Sequence, residues 1–245
     1  MLDPSADEIR DWGNSVIEFM ADYHASLRDG KVYRRTSSGE IRDRLDPVLP
    51  TKQTDFEGLL NVFRETIIPF TRQNAHPRMF GYVQSPGTAL AAFADLLAST
   101  LNANLTVWRS APAPVELERL TIDWIRQILG FNPEAGGLFV SGGSMANLTA
   151  IAAARHGKDD LSGRLRIYAS GETHFSIAKA AALLGIGREN VRHVAVDKHF
   201  KIRTDDLVAK INADVEAGYV PFCVVANAGT VNTGAVDPLA EIREV

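Results

Sequence analysis

The chain has one cysteine, Cys223, in 245 residues. That count excludes an intrachain disulfide. The residue lies in the apolar run Pro221-Phe222-Cys223-Val224-Val225, so it reads as a small packed hydrophobe, which suits a reducing cytoplasm. Positive charge is not in excess: the formal net charge is −4, which argues against a nucleic-acid-binding surface. No stretch approaches about 18 uninterrupted apolar residues, so no membrane span is expected. The start of the chain is acidic (Asp3, Asp7, Glu8) and lacks the basic and apolar regions of a signal peptide. Internal repeats and low-complexity segments are also missing. What remains is ordinary globular material, 45% apolar and 23% charged, long enough to bury a sizeable core.

The stretch from 137 to 155 organises the rest. Leu138, Phe139 and Val140 form a short apolar run that reads as a buried strand. Ser141, Gly142, Gly143 and Ser144 are small and turn-prone. From Met145 the residues are strong helix formers. A helix N-terminus exposes unpaired N–H groups and a positive dipole end, and glycines let the backbone close around an anion. The expectation is a phosphate cradle at Gly142, Gly143 and Ser144. A purely structural strand–turn–helix is the bland alternative. The turn lacks the G-x-G-x-x-G of a dinucleotide site and the lysine of a Walker loop. Gly142-Gly143-Ser144-Met145-Ala146 falls one residue short of the hydrolase elbow G-x-S-x-G, which keeps a serine hydrolase built on Ser144 as a competing reading.

Before this stretch, residues 5–27 read as a helix. Ser5 and Glu8 form a capping box, and Trp12, Val16, Phe19, Met20 and Tyr23 make an apolar stripe. An irregular, charged, proline-punctuated segment follows over 31–52. A second helix is expected from Asp55 to Ile67, where Leu59, Leu60, Phe63 and Ile67 recur. Residues 1–75 are thin material for a separate core and are expected to pack on something else. From His76 the character changes, and residues 76–245 are taken as one α/β region. Residues 89–103 read as a buried helix and 114–129 as a long amphipathic one. Beyond Arg155 strands and helices alternate: strands at 165–169, 191–196 and 222–226, helices at 176–184, 204–217 and from 237 onward. Such alternation implies a mostly parallel sheet with helices on both faces.

Sites in such sheets lie at the carboxyl ends of strands. One strand leads into Ser141-Gly142-Gly143-Ser144, another into His174, and a later one into Asn227-Ala228-Gly229-Thr230. His174, Thr230 and the cradle could therefore converge on one pocket. A histidine ring there could stack flat on an aromatic ligand whose phosphate sits on the helix N-terminus.

Several segments together resemble the pyridoxal-phosphate-dependent group II amino acid decarboxylases, the family of aromatic-L-amino-acid, histidine and glutamate decarboxylases. They are His76-Pro77-Arg78-Met79-Phe80, Ala94-Asp95-Leu96-Leu97, Pro112-Ala113-Pro114-Val115-Glu116-Leu117-Glu118, Gly142-Gly143-Ser144-Met145-Ala146-Asn147, His174-Phe175-Ser176 and Gly229-Thr230-Val231-Asn232-Thr233-Gly234. The resemblance implies a type I aminotransferase-like fold and pyridoxal 5'-phosphate as cofactor. It implies a homodimer in which residues 1–75 embrace the other subunit. Gly143 and Ser144 would hold the cofactor phosphate. His174 would stack on its ring and help position the substrate carboxylate. Thr230 would lie near the cofactor, and Tyr82 and Trp108 would line the substrate cleft. Val231 stands where relatives often carry a second threonine.

In that family the Schiff-base lysine and an aspartate paired with the pyridine nitrogen lie beyond the position matching Val245. Lys179 does not fill the role. Its string Ser176-Ile177-Ala178-Lys179 has no S-D-N or K-T-G companion. The chain thus resembles an N-terminal portion, and these residues alone are expected not to turn over. For the whole protein the expected reaction is decarboxylation of an L-amino acid, with an aromatic one as the first choice. An aminotransferase, an aldehyde-forming enzyme and a non-catalytic interaction module are the alternatives.

Overall fold

The computed structural model describes residues 3–158 and 163–245. The chain divides into two compact units, Met1–Asn104 and Leu105–Val245. This division by contacts falls at a different place from the change of sequence character at His76.

The first unit is helical. Helix α1 (Ala6–Ser26) starts on Ser5, whose hydroxyl accepts the Glu8 N–H, while Glu8 reaches back to the Ser5 N–H at 2.7 Å. Those bonds from Ser5 hold the Glu8 carboxyl below its ordinary range. A short α2 (Ser38–Arg42) stands on Ser37 within the segment expected to be irregular. Helix α3 (Phe56–Val62) continues through one π-turn to Ile67. The α1 stripe meets α3 and this turn: Trp12 stacks on Phe56 at 5.2 Å, and Phe19 meets Phe63 edge-on at 5.7 Å. Tyr23 donates to Gln73 at 2.7 Å, and the buried His76 ring contacts the Gly30 carbonyl at 3.2 Å. The segment around residues 73–76 is thereby tied to α1 and to the turn that follows it.

Helix α4 (Ala89–Leu101) is capped by Thr88. The sequence reading expected it to be buried, and the structure corrects that: residues 81–110 are exposed throughout. Leu97, for example, is 66% exposed. The apolar composition is real, but among the described residues of this unit no element covers the helix.

In the second unit a 3₁₀ turn (Trp108–Ser110) leads into α5 (Pro112–Leu129). Proline begins α5 where no N–H partner is needed, and Gly130 ends it in the left-handed region at φ 67°. Next come α6 (Gly143–His156), β1 (Leu165–Ser170), α7 (Ser176–Leu183), β2 (Val191–Val194), α8 (Thr204–Glu216), β3 (Val220–Val225) and α9 (Leu239–Glu244). Among the described residues the strands form one parallel sheet in the order β2-β1-β3.

Strand β1 is central and buried at every position. Its period-2 alternation feeds two cores. Leu165, Ile167 and Ala169 pack with Ile151 of α6 and with Ile177, Ala180 and Ala181 of α7. Tyr168 faces the other way, onto Val194, Ile202 and Leu207 of α8, with Ile242 of α9 alongside. Each fully buried Ile or Leu contributes about 1.5–3 kcal/mol, which makes β1 the anchor of the unit. Cys223 packs at the edge of the first core, and burial pushes its thiol up.

One buried polar cluster lies on the Tyr168 side. Asp214 accepts the Tyr168 hydroxyl at 2.9 Å and Arg192 Nε at 3.1 Å, and the Arg166 guanidinium lies 3.6 Å from the Tyr219 ring centroid. Burial and the neighbouring carboxylate push the Tyr168 hydroxyl far above its ordinary range.

Leu138, Phe139 and Val140 do not form the expected buried strand. They are irregular, and Leu138 and Phe139 are more than half exposed. A strand needs a neighbour to complete its hydrogen-bond ladder. Among the described residues these three find none.

Candidate functional site

Two segments at the carboxyl edge of the sheet are joined directly. The turn after β1 carries Thr173 and His174, and the segment after β3 starts with Asn227. Asn227 Nδ2 donates to Thr173 Oγ1 at 3.0 Å. Asp237 backs this junction. It is buried, and its carboxylate accepts the Asn227 N–H at 2.7 Å, the Asn227 side-chain amide at 2.9 Å and the Ile202 N–H at 2.8 Å. The turn bearing His174 is therefore held by a carboxylate more than sixty residues further along the chain.

A second junction joins this turn to α6. Asn147 Nδ2 donates to Ser176 Oγ at 2.8 Å, and Ser176 Oγ lies 2.8 Å from His174 Nδ1. The His174 side chain is exposed, with one ring face partly covered by Phe175 at 4.1 Å and a 34° tilt. Lys179 Nζ lies 4.3 Å from the Phe175 ring centroid, so its ammonium is engaged with that aromatic.

Helix α6 begins at Gly143. Its N-cap, Gly142, has φ 151° and gives no side-chain cap. The first turn holds no acidic residue, and Ala146 makes the first return bond, to the Gly142 carbonyl at 3.0 Å. The N–H groups of Gly143, Ser144 and Met145, and the Ser144 hydroxyl, have no hydrogen-bond partner among the described residues. The dipole end of a 14-residue helix thus faces outward with its donors available.

Thr230 is buried, and its hydroxyl is engaged inside its own turn. It lies 2.6 Å from Thr233 Oγ1 and accepts the Ala235 N–H at 3.1 Å. Trp108 is half exposed and donates through Nε1 to Glu116 at 2.8 Å. Tyr82 belongs to the first unit, where it is exposed at φ 66° and its ring lies 3.9 Å under the Arg72 guanidinium. The contacts within the second unit thus link His174 to α6 and to the segment after β3. They give Trp108 and the Thr230 hydroxyl partners elsewhere.

Sequence reasoning missed Asp237, Asn227 and Thr173 as supports. Asn147 and Ser176 stand in the sequence only as parts of the motif segments. A signal existed for Ser176: a serine two residues after a histidine at a helix start can reach the ring.

Comparison with known proteins agrees with this architecture. The family described as "Pyridoxal-dependent decarboxylase conserved domain" matches residues 39–245. An aromatic-L-amino-acid decarboxylase from Bacillus atrophaeus is 35% identical, matching 100% of this chain and 51% of its own length. An L-tyrosine/L-DOPA decarboxylase from Lophophora williamsii is 34% identical over 98% of this chain and 48% of its own. Among solved structures, 4-hydroxyphenylacetaldehyde synthase from Rhodiola rosea superposes with a TM-score of 0.91 at 30% identity, covering 98% of this chain and 54% of that one. The Oryza sativa TDC structure with PLP and tryptamine gives 0.90 at 28% identity, covering 100% of this chain and 56% of that one. The chain spans about half the length of the curated relatives it matches. Its α/β architecture is that of the type I aminotransferase-like fold of these enzymes. On the match over residues 39–245 and the agreement in fold over 98% of its residues, this chain belongs to the pyridoxal-dependent decarboxylase family.

Proposed function

We propose that the protein carrying this chain at the full length of its relatives decarboxylates an L-amino acid, an aromatic one by preference, to the amine. Family membership supports the reaction class, and the tyrosine, DOPA and tryptophan decarboxylases among the relatives support the aromatic preference. The observation that carries the reading locally is the uncapped N-terminus of α6, tied through Asn147 and Ser176 to the turn of His174.

The residues present fit pyridoxal phosphate. The start of α6 offers free N–H donors, a serine hydroxyl and no acidic side chain, which is the donor set a phosphate dianion needs. Gly143 and Ser144 would hold the phosphate, and the open face of His174 would lie against the ring. The bound cofactor would supply the electron sink for loss of carbon dioxide. This chain's own contribution is to bind the phosphate, orient the ring and place a donor beside the substrate carboxylate. The Thr230 turn would lie near the cofactor through its backbone, since its hydroxyl is engaged internally. Tyr82 and Trp108 would line the substrate cleft.

By the resemblance the Schiff-base lysine would lie outside these 245 residues, which alone are expected to be inactive. The full-length protein is expected to be a homodimer, a reading supported by the exposed apolar face of α4. A cytoplasmic location is supported by the free Cys223. Among the described residues no helix is long and apolar enough to cross a membrane, and the net charge of −4 gives no support to a nucleic-acid partner.

The test is product analysis of the full-length protein with pyridoxal phosphate and tyrosine, DOPA, tryptophan or glutamate. Amine from the aromatic substrates is the expected result. Aldehyde in its place would favour the second reading, which the fold similarity to an aldehyde synthase supports. A full-length protein that binds no pyridoxal phosphate would overturn both.

A further inference from the structure

Building on the reading of His174 as the ring-facing side chain, we infer that Ser176 and Asn147 fix the tautomer of His174, leaving Nε2–H as the donor that meets the substrate carboxylate.

The argument starts from a group that cannot turn. The main-chain N–H of Ser176 donates to His174 Nδ1 at 3.2 Å. A main-chain amide is only a donor, so Nδ1 must present its lone pair. In the neutral ring the proton then sits on Nε2. The Ser176 hydroxyl lies 2.8 Å from the same Nδ1, so it too must donate there. Having spent its proton, that oxygen can only accept, and Asn147 Nδ2 donates to it at 2.8 Å. All three bonds run in one direction, from Asn147 through Ser176 to His174. Ser176 is 2% exposed, so water does not take either partner's place.

At the other end of the ring, Nε2 has no hydrogen-bond partner among the described residues, and the side chain is exposed. Phe175 occupies part of one face. The ring therefore offers a free face for stacking and a single N–H at its edge. Stacking needs only the ring, whichever nitrogen carries the proton. Donation to a carboxylate needs the proton on the outward nitrogen. Asn147 stands one turn after Gly143 on α6, so the helix that would grip the phosphate also orients the histidine. Asn147 and Ser176 are thus positioning residues that act through His174.

The tautomer can be read without any cofactor. The full chain, labelled with ¹⁵N-histidine, is examined by long-range ¹⁵N–¹H correlation at about pH 8, where an ordinary imidazole is neutral. His174→Gln assigns the signal. The expected wild-type form is Nε2–H alone. In Ser176→Ala and in Asn147→Ala the Nδ1–H population rises about fivefold or more, the weight of one ordinary hydrogen bond. An Nδ1–H wild type, or unchanged populations in both folded variants, overturns the inference. In the full-length protein, 3-phenylpropionate serves as a carboxylate probe lacking the amino group. Ser176→Ala should weaken its binding about fivefold while pyridoxal phosphate affinity stays within about twofold. Undiminished probe binding would remove the assignment of Nε2–H to the carboxylate. A wild type that fails to bind pyridoxal phosphate sinks the proposed function and leaves the tautomer result standing.

Discussion

Asp237 accepts two hydrogen bonds from Asn227, one from its main-chain N–H at 2.7 Å and one from its side-chain amide at 2.9 Å. With the third bond, from the Ile202 N–H, the carboxylate closes the segment after β3 against the segment before α8. Asp237→Asn would turn one acceptor into a donor facing N–H groups in a buried setting. The expected loss is about 2–4 kcal/mol of stability. Urea unfolding followed by circular dichroism measures it, and a variant as stable as the wild type would contradict the brace.

The phosphate grip makes a separable prediction. Ser144→Ala in the full-length protein should weaken pyridoxal phosphate about three- to tenfold, the range of one hydrogen bond to a charged group. Affinity for pyridoxal, which lacks the phosphate, should not change. Equal losses for both ligands would place the contact elsewhere. A fluorophosphonate probe should leave Ser144 unlabelled, whereas a serine hydrolase would be modified there.

Cys223 should be a slow thiol. Burial raises its pKa, so the reactive thiolate is scarce near neutral pH. Iodoacetamide at about pH 8 should alkylate the native chain at least about tenfold more slowly than the urea-unfolded chain. Mass spectrometry gives both rates, and comparable rates would show the thiol accessible.

Asp206 links stability to acid. Its carboxylate accepts the Ala195 N–H at 2.7 Å and Lys210 Nζ at 2.5 Å, and these partners hold its pKa below the ordinary value. A depressed folded-state pKa gives stability that is present above the unfolded pKa and lost as pH falls through the folded one. Asp206→Asn should therefore cost about 1 kcal/mol at neutral pH, discounted for solvent screening, and almost nothing at about pH 2. A difference that does not shrink on acidification would assign the effect to something other than the charge.

The exposed face of α4 bears on assembly. Leu96 and Leu97 are each more than 60% exposed, so replacing both with Glu should leave the helical content of the chain unchanged. In the full-length protein the same change should shift the homodimer toward monomer in sedimentation velocity. A wild-type protein that sediments as a monomer would sink the proposed assembly.

Local physics made much of this chain readable from its residues. Ser5 and Glu8 announced the start of α1, and Gly130 the end of α5, because caps are settled by neighbours three or four residues away. The switch between period 2 and period 3.6 gave a mostly parallel sheet, and the motif segments gave the family; that β1 lies at the centre came only with the tertiary structure. Where a side chain finds its partner is a different matter. The chain alone could not say that Leu138 to Val140 would lack a ladder neighbour, or that α4 would stand uncovered. Both depend on what packs alongside, and propensity carries no record of it. The contacts that place His174 were equally hidden. Asn147 meets Ser176 across 29 positions, and Asn227 meets Thr173 across 54. Only the closing of helices over both faces of the sheet brings those polar atoms within bonding distance, because hydrogen bonds act over about 3 Å and the connecting chain can take countless paths.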